Sequence, residues 1–123
     1  MTKIILDTNS LIHCIENKIN YYVILEEKLG YVEFFILKQS LDELKKIEIK
    51  PRIKKLVLEI INKDTKIIEY KPEISYVDQL IIDYTKENSD FVVFTQDKEL
   101  LKKLKSEKIN SCYISKNKRI NYQ

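Results

Sequence analysis

The chain has 123 residues and a formal net charge of +3, with 44% hydrophobic and 33% charged residues. That length suits one folded domain spanning residues 1–123 with a modest core, and the balance excludes a disordered or fibrous chain. No apolar run reaches the roughly 18 residues of a membrane span, and Met1-Thr2-Lys3 leads into a strand-like segment rather than a secretory h-region, so the expected compartment is the cytoplasm.

Lys3–Leu6 is a short apolar run that ends at Asp7. Leu11, Ile12 and Ile15 then recur at helical spacing, with Thr8 or Asn9 available as a cap. A second helix is expected over Tyr21–Leu29, stopped by Gly30, the only glycine. Glu33–Leu37 is continuously apolar after its first residue and reads as a buried strand. Helical period returns over Ser40–Ile47, and Pro51 is suited to open another helix in which Ile53, Leu56, Val57 and Ile60 share a face. Thr65–Tyr70 is a short β-like run broken by Pro72. Ser75 can cap a helix carrying Val77, Leu80, Ile81 and Tyr84 at i, i+3, i+4, i+7. Phe91–Thr95 is the next strand, Asp97 starts a helix with Leu100, Leu101 and Leu104 inward, and Ser111–Ser115 is the last strand.

Strand and helix patterns therefore alternate, and the strands are apolar throughout rather than at every second residue. A parallel sheet covered by helices on both faces meets both conditions. Right-handed crossovers then bring every strand C-terminus to one edge, where such folds bind ligands.

The two cysteines, Cys14 and Cys112, lie far apart among apolar neighbours with no partner at metal-knuckle spacing, so both read as buried free thiols. His13 is the only histidine and reads as an ordinary helix residue, which leaves carboxylates, lysines and hydroxyls to carry any catalysis. Basic residues crowd three stretches: Lys45 to Lys55, Lys102 to Lys108, and Lys116 to Arg119. They could track a phosphate backbone, although for any one stretch a solvated helix face is the favoured reading.

Four acids can meet at the expected sheet edge. Asp7 and Asp97 each follow a strand, Glu43 falls in the first turn of the helix after Glu33–Leu37, and Asp78 falls in the first turn of the helix before Phe91–Thr95. Two carboxylates about 4 Å apart repel by several kcal/mol at an effective dielectric near 20, so converging acids either protonate or bind cations. An oxygen-only donor set suits Mg²⁺ or Mn²⁺, and phosphodiester hydrolysis is the chemistry such a site supports without histidine. Each acid also has a structural reading. Ser40-Leu41-Asp42-Glu43 matches a capping box, Ser75 to Asp78 offers another, and Asp97 and Asp7 can serve as a cap and a turn residue. Of the neighbouring acids, Asp42 is spaced to pair with Lys46 while Glu43 shares a face with Ile47, nearer the core. Asp83 lies about 140° around the helix from Asp78, so the two cannot serve one site.

The residues resemble the motifs of PIN domains. Ile4-Ile5-Leu6-Asp7-Thr8-Asn9 is similar to the family's opening motif, Leu41 to Lys46 to its second, Tyr76 to Ile81 to its third and Phe94 to Leu100 to its fourth. Cys112 to Arg119 resembles the closing strand and basic tail of the Fcf1/Utp24-like branch, which is linked to ribosomal RNA processing. The resemblance covers nearly the whole chain in order. It implies a three-layer α/β/α sandwich with a parallel five-stranded sheet of order 3-2-1-4-5, and an endoribonuclease that uses one or two Mg²⁺ or Mn²⁺ ions. By match, Asp7, Glu43, Asp78 and Asp97 are the implied catalytic metal ligands, with Asn9 and Thr95 as supporting polar groups. RNA, including a ribosomal precursor, is the implied partner, held by Lys45, Lys46, Lys98, Lys116, Lys118 and Arg119. A homodimer is a further expectation. Gln79 and Gln96 depart from the pattern, Gln79 at a position where this branch often has a second aspartate and Gln96 where substrate or an acid is positioned. Two other readings stand beside this one: a VapC-type toxin with its antitoxin, and a non-catalytic RNA-binding or assembly module. A receiver-type domain would need a tight acidic pair after the first strand, where Asp7 stands alone.

Overall fold

A computed structural model describes residues 1–70 and 76–123. The elements run β1 (Thr2–Leu6), α1 (Thr8–Glu16), α2 (Tyr21–Leu29), β2 (Val32–Leu37), α3 (Lys38–Lys46), α4 (Pro51–Asp64), β3 (Thr65–Ile68), α5 (Val77–Glu87), β4 (Phe91–Phe94), α6 (Lys98–Ser106), β5 (Ser111–Ile114) and β6 (Ile120–Tyr122). All strands join one sheet of order β3-β2-β1-β4-β5-β6. The first five pair in parallel, in the expected order. β6 was not expected. It runs antiparallel along β5, with Cys112 opposite Tyr122 and Ile114 opposite Ile120. Three residues of mixed polarity carry no strand signal of their own, and β6 exists because the hairpin supplies its partner.

Alternation along each strand divides the core in two. Ile4, Leu6, Phe34, Ile36, Val92, Phe94, Cys112 and Ile114 pack under α1 to α4. Ile5, Leu37, Phe91 and Val93 face the other way, onto Leu80, Ile81 and Ile82 of α5 and Leu100 and Leu104 of α6. Burial on both faces explains why the strands read as unbroken apolar runs. Strand order reverses between β1 and β4, the switch point at whose carboxyl edge such folds open a crevice.

Helix ends differ from the expectation in ways that matter for the acids. Asp7, rather than Thr8 or Asn9, is the N-cap residue of α1. The third helix begins at Lys38, directly after β2, so Ser40 lies inside it and no capping box forms with Glu43. The physical reason is the direct strand-to-helix join, which leaves no non-helical residue at position 40. Glu43 thereby falls in the second turn, exposed to solvent rather than turned with Ile47 toward the core. Asp42 pairs with Lys38 at 3.2 Å instead of Lys46. In α4 the buried stripe is Ile53, Val57 and Ile61, while Leu56 is 40% exposed. Gly30, at φ 80°, ends α2 where an L side chain would be strained. The expected break at Pro72 and cap at Ser75 lie outside the described residues. Both cysteines are buried and free.

Candidate metal and nucleic-acid site

Parallel strands deliver Asp7 and the segment Thr95-Gln96-Asp97 side by side at the switch point. The ladder itself extends to them, since the Asp7 amide donates to the Phe94 carbonyl at 3.2 Å. Although Asp7 occupies the N-cap position of α1, its side chain makes no capping bond. The carboxylate turns instead to Ser10 and Thr95, whose hydroxyls donate to the same oxygen, Oδ2, at 2.9 and 2.8 Å. Each hydroxyl is held in turn by a backbone amide: Gln96 N–H donates to Ser10 Oγ at 2.7 Å, and Asp97 N–H donates to Thr95 Oγ1 at 3.1 Å. One hydrogen per hydroxyl is thus committed to Asp7, and the loop after β4 fixes both donors.

Asp7 is only 5% exposed. Burial raises its pKa from the ordinary carboxylate value, the Thr95 and Ser10 hydroxyls pull it down, and the nearby charges of Asp78 and Asp97 push it up again. Asp78, in the first turn of α5, is also raised, first by burial and then by Asp97, with Lys103 opposing. Asp97 caps α6 through Oδ1, which accepts from the amides of Glu99 at 2.9 Å and Leu100 at 3.4 Å. For both Asp7 and Asp97, then, the hydrogen bonds fall on one oxygen and orient the other.

Asp7 and Asp97 line a pocket of about 760 Å³. α1 contributes Asn9 and His13 to its wall, the residue after α1 contributes Asn17, α6 contributes Lys98, and the turn between β5 and β6 contributes Lys116 and Lys118. Glu43 and Asp78 are not among its lining residues, although Asp78 is near enough to Asp7 and Asp97 for their charges to interact. Among the described residues, no three His, Cys, Asp or Glu side chains gather at the spacing of one ion's cage. Lys45 lines a separate groove between α3 and α4, Lys46 is exposed on α3, and Arg119 is exposed with its carbonyl held by the Ser115 amide at 2.8 Å.

The donor set still fits a hard divalent cation. Its acids offer oxygens alone, one carboxylate is nearly sealed from water, and its neighbours add negative charge; His13, expected to be an ordinary helix residue, stands on the pocket wall with Nδ1 3.3 Å from the Asn17 amide. Mg²⁺ is ordinarily held by one or two carboxylates and keeps several waters, so an open arrangement suits it better than an all-protein cage.

Two further residues organise the site: Ser10, which the sequence reading passed over, and Gln96, which it noted only as a departure from the motif. Ser10 lies three residues after Asp7, on the same face of α1, and that spacing is the only signal that could have found it. Gln96 spends its whole amide on β5: Nε2 donates to the Ile114 carbonyl at 2.8 Å and Oε1 accepts from the Ile114 amide at 2.7 Å. It fastens the β4–α6 loop to the next strand instead of reaching an acid. Gln79 is exposed and donates to Asp83 at 2.9 Å.

Residues 4–116 match the family model described as PIN like domain. Ribonuclease VapC4 of Methanocaldococcus jannaschii is 37% identical over 112 residues, covering 85% of this chain and 83% of the relative. Among solved structures, the PIN domain endonuclease Utp24 superposes with a TM-score of 0.85 at 22% identity, over 98% of this chain and 90% of the other. VapBC2 from Rickettsia felis, bound to a DNA fragment from its promoter, gives a TM-score of 0.51 at 15% identity, over 82% and 92%. At those identities the two structures speak for the fold.

Proposed function

The chain belongs to the PIN-like domain family, and on that premise we propose that it is a Mg²⁺- or Mn²⁺-dependent endoribonuclease. One observation carries the reading. A buried Asp7 is held by two committed hydroxyls beside two further acids, at the carboxyl edge of the sheet's switch point. Structural acids are not ordinarily desolvated among like charges without a cation, and perturbed acids in a cleft mark functional sites.

In this proposal Asp7 and Asp97 are the residues that would hold the ion. Asp78 adds charge from the first turn of α5, and Glu43 enters by motif resemblance, directly or through water. A bound divalent ion supplies a lowered water pKa and neutralises phosphate charge. The chain does the rest. Ser10 and Thr95 keep the Asp7 carboxylate from rotating, the Asp97 cap fixes the start of α6, and Lys98, Lys116 and Lys118 draw the phosphates to the pocket. Water attacks phosphorus in line, the P–O3′ bond breaks, and the departing 3′-oxygen takes up a proton as the attacking water gives one up, so the products carry 5′-phosphate and 3′-hydroxyl ends.

The biological role divides two ways. The 37% identical ribonuclease VapC4 favours a toxin-type ribonuclease, for which an antitoxin is the expected partner. The likeness of Cys112 to Arg119 to the Fcf1/Utp24-like tail favours maturation of ribosomal or other RNA. A homodimer and a cytoplasmic setting belong to both. Among the described residues no helix is long and apolar enough to cross a membrane.

Asp97→Asn tests the activity cleanly, because asparagine caps a helix as well as aspartate does. Cleavage of a mixed RNA should require Mn²⁺ or Mg²⁺, stop with EDTA, and fall roughly a hundredfold in the variant with α6 intact by circular dichroism. Metal-independent cleavage, or full activity in the variant, would sink the proposal. Binding of uncut RNA in Mn²⁺ would point to the non-catalytic module.

A further inference from the structure

Next to the acid pocket lies a second groove of about 600 Å³, between α6 and β5. The two cavities share a wall: Gln96, Lys98, Ile114, Ser115 and Lys116 line both. The second groove has a different character. Its apolar lining includes Leu101 and Ile114, which are 7% and 3% exposed. Tyr113, half-buried, lines the groove from the face of β5 opposite Cys112 and Ile114. Lys102 and Lys105 follow Lys98 along α6 on the groove side, and among the described residues its lining holds four lysines and no acid.

We propose that this groove is a nucleotide subsite that holds the unpaired RNA strand leaving the acid pocket, with a base stacked on Tyr113 and its phosphates on Lys102 and Lys105. The strand's identity rests on the ribonuclease reading. The groove's own features call for a ligand with a flat apolar face and repeated negative charge. A cavity of this size is within the roughly 300–1,000 Å³ of small-ligand pockets. An aromatic platform among lysines is the arrangement by which proteins hold single strands, since every base offers a π face and every link a phosphate. An unpaired strand fits better than a duplex, whose bases are already stacked on each other and not free to reach Tyr113. The Gln96 clamp gives the path its rigidity. By tying the loop after β4 to Ile114, it holds the shared wall, so the distance between the acids and the Tyr113 platform does not drift.

The test measures binding of a 12-nucleotide unpaired RNA to the full chain in EDTA, by fluorescence anisotropy across a salt series. Three variants are compared: Tyr113→Leu, Lys102→Ala with Lys105→Ala, and a control pair of exposed lysines on α2 and α4, Lys28→Ala with Lys63→Ala. Melting temperatures confirm that each folds. Tyr113→Leu should weaken binding roughly tenfold, within the range for one stacked base, and leave the salt dependence unchanged. The Lys102 and Lys105 pair should also weaken binding about tenfold. It should in addition lower the slope of log affinity against log salt by roughly 1.4, as two lost single-strand phosphate contacts require. The control pair should bind like the parent, and the same RNA annealed to its complement should bind less tightly. Equal binding by Tyr113→Leu and the parent, an equal loss in the control pair, or a preference for duplex would overturn the subsite. Because binding is read without metal, a chain that binds in this way yet cuts nothing with Mn²⁺ leaves the groove standing and removes only the nuclease reading.

Discussion

Replacing Asp7 by asparagine should move stability and activity in opposite directions. The carboxylate is 5% exposed and accepts two hydroxyl hydrogen bonds. Making it neutral weakens those bonds by about 1 kcal/mol each, because charge assistance is lost while the amide oxygen still accepts. Against that stands the burial of an ion, which costs several kcal/mol even after relaxation, and the repulsion from Asp78 and Asp97. The raised pKa of Asp7 has the same sign: burial and the neighbouring charges penalise the ionised form relative to water. Asp7→Asn should therefore be more stable than the parent by about 1 kcal/mol at pH 7 in EDTA, or roughly 4 °C in melting temperature for a chain of this size. The sign of the pH dependence follows. A native pKa above the unfolded value means that the folded state binds more protons, so this part of the parent's stability rises as the pH falls through the native value toward 3.8. The variant's advantage should shrink over the same interval. Mn²⁺ should raise the melting temperature of the parent and leave the variant unmoved, and RNA cleavage by the variant should be lost. Calorimetry in EDTA from pH 4 to pH 7.5, repeated with Mn²⁺ at pH 7.5, decides the matter. A variant that melts several degrees below the parent in EDTA would refute the reasoning, since Asp7 would then be a structural anchor.

The remaining predictions concern the groups around it. Ser10→Ala removes one donor to Asp7 and leaves the Gln96 amide without its acceptor at 2.7 Å, which should cost about 1–3 kcal/mol in urea unfolding and slow cleavage without changing metal dependence. Gln96→Ala breaks both bonds to Ile114; it should cost about 2 kcal/mol and speed hydrogen exchange at the Ile114 amide before the rest of the sheet, and unchanged exchange there would remove the clamp from the account. Cys14 and Cys112 are buried, and burial raises both thiols to about 12, so neither should react with a thiol reagent at pH 8 until the chain unfolds.

Strand and helix content, the parallel sheet and the edge at which acids can meet were all legible in the residue pattern, because they depend on local chemistry: apolar runs for buried strands, helical period, Gly30 as a stop and Pro51 as a start. Asp7 was identifiable for the same reason, as an acid directly after a core strand. Tertiary structure decided the rest. Ser10 and Thr95 are 85 residues apart and act together only because β1 and β4 are neighbours. Gln96 becomes a clamp only once β5 lies beside the loop, and β6 becomes a strand only once the chain folds back along β5. Glu43 was misplaced because a capping box and the interior of a helix joined directly to a strand have the same local spelling. Neighbours in sequence set which element forms. Which side chains share a hydrogen, a wall or a charge depends on contacts between elements, and a residue pattern read along the chain does not contain that information.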